Sequence, residues 1–194
     1  MAIISIAEAY NNRGDACFKL GDFQHAIREY SSAINLSPKD ALTYMARGNA
    51  YAELGNFQEA IRDYDRSIEL LPGFGLAHYY RGFAYDHLGN YNEAIRDYNK
   101  AIEQVPKYGE AYLGRGTVYG KLGNYRQAIK DFDRAIELNP KDQLAYYNRG
   151  TAYGKLGNSD REIMDTKTAA QLGYKPAQDY LESKGISWQP SLLI

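Results

Sequence analysis

This sequence has a single cysteine, no long apolar run and almost no excess of either charge. The one cysteine, Cys17, has no partner for an intramolecular disulfide, and we interpret it as a small buried filler. The sequence contains no run of about 18 apolar residues, so it predicts no membrane span. The start, Met1–Ile6, lacks the basic segment of a secretory signal. These absences favour a cytoplasmic protein.

The charge balance excludes a dedicated nucleic-acid-binding protein. The 194 residues include 23 basic and 24 acidic side chains, for a net charge of −1, whereas a nucleic-acid-binding surface needs a basic excess to displace counterions. Hydrophobic residues make up 44% of the chain, which excludes a long disordered segment. Tyrosine occurs 19 times against 6 Phe and 1 Trp, and this frequency indicates a repeated structural position.

The sequence repeats itself every 34 residues. Leu-Gly occurs five times at this step, and Arg-Gly and Pro recur in phase with it. Each repeat predicts two helices, because apolar residues recur at helical spacing, Gly follows the first helix and Pro ends the second. In the fourth repeat, Tyr112, Gly116 and Tyr119 share one face of the first helix. Ala128 and Phe132 share one face of the second.

These motifs resemble the tetratricopeptide repeat (TPR) family. Its pattern has Gly or Ala at repeat position 8, Tyr at 11, Ala at 20, an aromatic residue at 24 and Pro at 32, and the match covers residues 7–176. The resemblance implies an all-α fold, a right-handed α-solenoid of antiparallel helix pairs that forms a TPR superhelix with the shape of an open arc. The predicted domains are an N-terminal extension (1–6), TPR 1 (7–40), TPR 2 (41–74), TPR 3 (75–108), TPR 4 (109–142), a degenerate TPR 5 (143–176), a capping helix (177–186) and a tail (187–194).

Two repeat positions carry charges that the family pattern does not require. Position 7, usually Leu in the family, is Arg in every repeat, and position 23 is acidic in every repeat. We predict that these two residues form a repeated, partly buried ion pair between helices, in which Arg81 meets Asp63 or Asp97. The alternative is that the arginines extend into solvent.

No catalytic constellation is present in the sequence. The three histidines, His25, His78 and His87, are not at metal-ligand spacing, and the sequence lacks HExxH, CxxC, a P-loop and GxSxG. His78 instead occupies an aromatic core position. We therefore predict a protein that is not an enzyme and that binds no metal or cofactor.

The remaining candidate surface is one face of the first helices. In the resemblance, these helices line a concave groove, and positions 2, 5, 6, 9, 12 and 13 face into it. These positions vary between repeats, as a specific contact face on a constant core should. The third repeat is the most apolar there and the fourth the smallest, with Gly114 and Gly120. The predicted partner-binding residues are Met45, Asn49, Leu76, Tyr79, Tyr80, Phe83, Leu113, Thr117, Tyr147 and Asn148.

We expect a protein–protein interaction scaffold or adaptor that binds a peptide or protein segment in this groove. The contact positions of the first three repeats carry several acidic residues and one lysine, Lys19. This balance favours a partner with an apolar anchor and basic flanks. For Tyr79 and Tyr80, the alternative is packing against the next helix. The alternative function is a self-assembling scaffold whose groove receives a segment of a neighbouring copy, with the tail Leu192-Leu193-Ile194 as the candidate.

The fifth repeat should open before the fourth. Glu162 and Thr166 replace the Ala and the aromatic residue of positions 20 and 24, so this repeat buries less apolar surface. Solenoid stability is roughly a sum of repeat and neighbour terms, which allows local opening. Amide hydrogen exchange should be faster in Arg161–Ala170 than in Gln127–Ile136. Equal protection of the two segments would mean that the capping helix compensates fully.

Overall fold

A computed structural model describes residues 5–189, and this part of the chain contains eleven helices and no strand. Within it, no helix is both long and apolar enough to cross a membrane. The tail Leu192-Leu193-Ile194 lies outside the described residues, as do residues 1–4 of the N-terminal extension. The helices are α1 (Ile6–Lys19), α2 (Phe23–Leu36), α3 (Ala41–Glu53), α4 (Phe57–Leu70), α5 (Gly75–His87), α6 (Tyr91–Gln104), α7 (Gly109–Lys121), α8 (Tyr125–Leu138), α9 (Gln143–Lys155), α10 (Ser159–Gln171) and α11 (Lys175–Ser183).

The helices form packed pairs within two compact units. We call Met1–Pro106 the N-terminal half and Lys107–Ile194 the C-terminal half. The N-terminal half contains the pairs α1–α2, α3–α4 and α5–α6, and the C-terminal half contains α7–α8, α9–α10 and the additional helix α11. The predicted all-α solenoid of helix pairs is confirmed.

The Leu-Gly motif forms the turn within each pair. Its glycines have φ values between 76° and 80°, a left-handed conformation that is costly for any residue with a Cβ. This requirement explains why glycine recurs at the same point of every repeat. The glycines are Gly21, Gly55, Gly89, Gly123 and Gly157.

A second glycine, at position 8, lets the two helices of a repeat approach closely. A Cβ at Gly48 would lie 2.7 Å from a ring carbon of Tyr64, and one at Gly116 would lie 2.8 Å from Phe132. Side chains do not tolerate contacts this short, so the ring at position 24 needs glycine opposite it. Tyr64 is 0% and Phe132 2% exposed, and this contact is therefore central to the core of the repeat.

The arginine at position 7 pairs with the acid at position 23, as predicted. Arg81 Nε and Nη2 each donate to a carboxylate oxygen of Asp97 at 2.7 Å. Asp63 instead accepts from Arg47, at 2.8 and 2.7 Å. The same two-point pair joins Arg115 to Asp131 and Arg149 to Asp165.

The remaining guanidinium nitrogen reaches the preceding helix. Arg81 Nη1 donates to Asp65 of α4 at 2.6 Å, and Arg47 Nη1 donates to Ser31 of α2 at 2.9 Å. One arginine thereby connects both helices of its own repeat to the second helix of the repeat before it. In the C-terminal half, Arg149 Nη1 makes the same contact with Asp133 at 2.7 Å.

Burial distinguishes the inner ion pairs from the first one. The side chains of Arg81 and Asp97 are 20% and 4% exposed, whereas those of Arg13 and Glu29 are 59% and 26% exposed. Burial alone would raise the pKa of Asp97, but hydrogen bonds from Arg81 and His78 and their charges outweigh it and hold the pKa below its usual value. Asp97 therefore stabilises the fold while it is ionised, and this stabilisation is lost as the pH falls through the lowered pKa.

The fifth repeat accommodates Glu162 through a neighbouring glycine and α11. A Cβ at Gly154 would lie 2.5 Å from the Glu162 carboxyl carbon, so the Glu162 carboxylate occupies the space beside this glycine. Tyr180 of α11 donates its hydroxyl to Glu162 Oε1 at 2.8 Å. Leu181 of α11 is 0% exposed, in a cluster with Ala170. Helix α11 begins before the predicted residue 177, because proline fits the first turn of a helix.

Removing an inner arginine should cost more stability than removing the first one. Arg81→Ala leaves Asp97 buried with His78 as a remaining partner, and we expect the free energy of unfolding to fall by about 2–4 kcal/mol. Arg13→Ala removes an exposed pair and should cost about 0–1 kcal/mol. Urea denaturation followed by circular dichroism measures both changes. Equal losses would show that the inner pair stabilises the fold no more than an exposed one.

Candidate functional site

The first helices of the N-terminal half enclose a cleft. Helices α1, α3 and α5 lie side by side, and the cleft along them has a volume of about 320 Å³. This volume is at the lower end of the range for ligand pockets, roughly 300–1,000 Å³. We call it the N-terminal groove, and its lining residues are Phe18, Asn49, Ala52, Glu53, Tyr64, Tyr79, Tyr80 and Phe83.

Ring contacts hold the aromatic side chains of the N-terminal groove in place. The rings of Tyr79 and Tyr80 meet edge to face with their centroids 5.1 Å apart, and Tyr80 stacks on Tyr64 at 6.1 Å. The Phe83 ring lies 4.3 Å from that of His87 and remains 37% exposed. Because these rings are already packed, ordering them on binding would cost little side-chain entropy.

Two polar residues interrupt this aromatic surface. Asn49 Oδ1 accepts the hydroxyl of Tyr64 at 2.8 Å. Burial raises the pKa of Tyr64 well above its usual value, so the phenol keeps the proton that it donates. Asn49 Nδ2 makes no hydrogen bond to the protein within residues 5–189 and can donate to a ligand. Glu53 is exposed and supplies the single charge of the lining.

A second cleft lies on the first helices of the C-terminal half. It has a volume of about 260 Å³, and two lysines line it. Asn148 Nδ2 donates to Thr117 Oγ1 at 3.4 Å, and Thr117 Oγ1 donates to the carbonyl of Leu113 at 2.8 Å. We call it the C-terminal groove, and its lining residues are Thr117, Gly120, Lys121, Tyr125, Phe132, Asn148, Thr151, Ala152 and Lys155.

The structure distributes the ten predicted partner-binding residues over three environments. Three of them, Met45, Leu113 and Tyr147, pack against buried clusters. Leu76 is 37% exposed and is not among the lining residues of either groove. The other six line the grooves: Asn49, Tyr79, Tyr80 and Phe83 the N-terminal one, and Thr117 and Asn148 the C-terminal one.

The grooves also contain residues that sequence reasoning left out of the site. Phe18 and Glu53 stand at contact positions of their repeats, so the repeat pattern contained the signal for them. Tyr64 and Phe132 stand at core position 24, and parts of their rings reach the grooves. Within residues 5–189, no group of three His, Cys, Asp or Glu side chains is placed to hold a metal ion.

Profiles of one protein family match most of the chain. Profiles described as tetratricopeptide repeat match residues 45–109, 109–142 and 132–164, and one described as TPR repeat matches residues 14–55. The chain belongs to the tetratricopeptide repeat family. No curated protein matches it significantly.

Several solved structures share the fold of this TPR protein. The crystal structure of MamA protein is 26% identical, with a TM-score of 0.76 and coverage of 95% of this chain and 98% of that one. MamA from residue 41 to the end, from Desulfovibrio magneticus RS-1, is 21% identical, with a TM-score of 0.75 and coverage of 94% and 99%. YrrB, described as a TPR protein with an unusual peptide-binding site, is 21% identical, with a TM-score of 0.74 and coverage of 93% and 92%.

Alanine substitutions at two glycines of α7 should change the stability of the protein in opposite directions. A Cβ at Gly120 meets nothing within 4 Å, whereas one at Gly116 would lie 2.8 Å from Phe132. We expect Gly120→Ala to raise the free energy of unfolding by about 0.5–1 kcal/mol, because alanine is the better helix former. Gly116→Ala should lower it by about 1–3 kcal/mol through overpacking. Thermal unfolding measures both. A destabilising Gly120→Ala would contradict an open groove at this point.

Proposed function

We propose that this TPR protein is a non-catalytic scaffold that holds a peptide or protein segment in its N-terminal groove. The observation that carries the proposal is a cleft formed by packed aromatic rings, with Asn49 Nδ2 and Glu53 at its side. Pockets of this composition, mostly apolar with a few polar groups, are typical binding sites. The peptide-binding site described for YrrB is in keeping with this proposal, although a likeness of 21% identity extends only to the fold.

The groove favours an apolar anchor with a basic neighbour. Burying an aromatic or long aliphatic side chain against Tyr79, Tyr80 and Phe83 would contribute about 1.5–3 kcal/mol. Asn49 Nδ2 would donate to a backbone carbonyl of the bound segment. Glu53 would attract a basic residue beside the anchor and mainly increase the association rate.

The C-terminal groove favours a different chemistry. Its lining includes Lys121 and Lys155 and no acidic residue, so a segment that entered it should carry acidic groups. The proposal of basic flanks is therefore supported by the N-terminal half alone. Leu113 and Thr117 stay in the proposed contact set as residues of the C-terminal half.

Self-assembly through the groove is the alternative function. Its candidate insert, Leu192-Leu193-Ile194, lies outside the described residues. The cytoplasmic location also stays a prediction. Binding of a peptide or protein segment in the groove is the function proposed here, and self-assembly through the same groove stays the alternative.

Phe83→Ala should weaken partner binding without unfolding the protein. We expect a loss of about 1–3 kcal/mol in binding free energy if Phe83 is a hot spot. The fold should persist because the ring is 37% exposed. The partner would be identified by pull-down from the source cell, and its affinity measured by isothermal titration calorimetry, with circular dichroism as the check on folding.

Charge reversal on the second helices provides the control. Arg62→Glu and Arg96→Glu change exposed residues of α4 and α6 and should leave partner binding unchanged. If these variants abolish binding while Phe83→Ala does not, the working surface is that of the second helices. If Phe83→Ala unfolds the protein, the assignment of position 9 to the groove is wrong.

A further inference from the structure

Helix α1 exposes residues that the other first helices bury. In α3 and α5, positions 3 and 10 are 0–3% exposed. The residues of α1 at these positions, Ala9 and Ala16, are both exposed. Leu20, at position 14, is 85% exposed, against 39% for Leu54 of the second repeat. We call Ala9, Arg13, Ala16 and Leu20 the α1 stacking face.

In later repeats the corresponding face receives the second helix of the preceding repeat. Ala50 of α3 lies in one buried cluster with Ala26 and Tyr30 of α2, and Ile27 packs against it. Ser31 of α2 accepts from the arginine of α3. The covering helix therefore presents Ala-Ile at i and i+1, an aromatic residue at i+4 and a side-chain oxygen acceptor at i+5. The same pattern recurs in α4 as Ala60, Ile61, Tyr64 and Asp65, and in α8 as Ala128, Ile129, Phe132 and Asp133.

Arg13 has only part of the contacts that its equivalents make. Its Nε lies 2.8 Å from Glu29 of its own repeat, and its guanidinium lies over the Tyr10 ring at 4.5 Å. Within residues 5–189, no side chain takes the place that Asp65 has beside Arg81. The side chain of Arg13 is 59% exposed, against 20% for Arg81.

Helix α11, the last helix of the described residues, contrasts with α1. Helix α11 buries Leu181, and its exposed side carries charges. Lys175 pairs with Asp179 there at 2.5 Å. A helix face that no neighbouring repeat covers needs such polar residues for solubility. The α1 stacking face instead retains the residues of an internal repeat interface.

We propose that the α1 stacking face is a docking surface for an amphipathic helix of a partner protein. That helix carries Ala-Ile at i and i+1, an aromatic residue at i+4 and Asp or Ser at i+5. It continues the interface that α2 makes with α3 and α4 with α5, and its acidic residue meets Arg13. A second copy docked through its own stacking face fits less well, because that face offers no carboxylate to Arg13.

A peptide with the sequence of residues 56–71 is the probe, because it carries the pattern as it occurs in α4. Titration into the isotope-labelled full chain should shift the backbone NMR signals of the α1 stacking face, Ala9, Arg13, Ala16 and Leu20, more than that of Phe18 in the N-terminal groove. Ala16→Glu in the protein should weaken binding at least about tenfold, since it places an unpaired charge in the interface. Gln24→Glu, which adds the same charge at an exposed position of α2, should leave binding unchanged. Both substitutions are at exposed sites, and circular dichroism checks that the fold persists.

A charge swap at Arg13 tests the proposed ion pair directly. The peptide with Asp65→Lys should bind the native chain more weakly, and Arg13→Glu in the protein should restore its binding. Phe83→Ala should bind the original peptide as the native chain does, because the N-terminal groove is a separate surface.

Three outcomes would overturn the proposal. The first is no binding at about 1 mM peptide. The second is a set of shifts confined to the N-terminal groove. The third is a dimer, detected by light scattering of the chain alone, that Ala16→Glu dissociates, since the face would then belong to a second copy.

Discussion

A guanidinium shared among three helices fixes how successive helices meet. Arg81 of α5 binds Asp97 of α6 at two points and Asp65 of α4 at a third. A buried ion pair adds little net stability, because desolvation offsets most of the attraction. Its planar donors do, however, require the acceptors at fixed places, so the pair specifies the register of the helices. This register directs Tyr79, Tyr80 and Phe83, on the same helix, towards the groove.

The core and the groove are connected through position 24. In the first two repeats, the phenol at this position reaches the residue at position 9: Tyr30 donates to Asp15 at 2.7 Å and Tyr64 to Asn49 at 2.8 Å. Where it is Phe132, position 9 is Thr117, whose hydroxyl donates to a backbone carbonyl instead. Asp15 and Asn49 thus also satisfy the polar end of a core ring, which restricts the residues that can replace them.

The two proposed surfaces have different physical origins. Apart from Tyr64, the N-terminal groove consists of positions that vary between repeats, so its chemistry belongs to this protein in particular. The α1 stacking face consists of positions that are nearly constant, and it is distinctive because no preceding helix covers it within the described residues. Repeat proteins bury their cores only by stacking neighbours, so an uncovered interface keeps its capacity to stack.

The sequence alone determined the helix pairs, the glycine turns and the pairing of Arg81 with an acid at position 23. Each of these follows from a local conformational requirement or from spacing that repeats every 34 residues. Only the tertiary structure decided between Asp97 and Asp63 as the partner of Arg81. Only it revealed Asp65 as a further partner, because position 25 holds four different residue types and therefore shows no repeated signal. It also decided that Glu162 is held by Tyr180 and that the Tyr64 ring reaches the groove. A repeat position assigns a residue to one face of a helix, but the length of its side chain and the placement of the next helix determine what it touches.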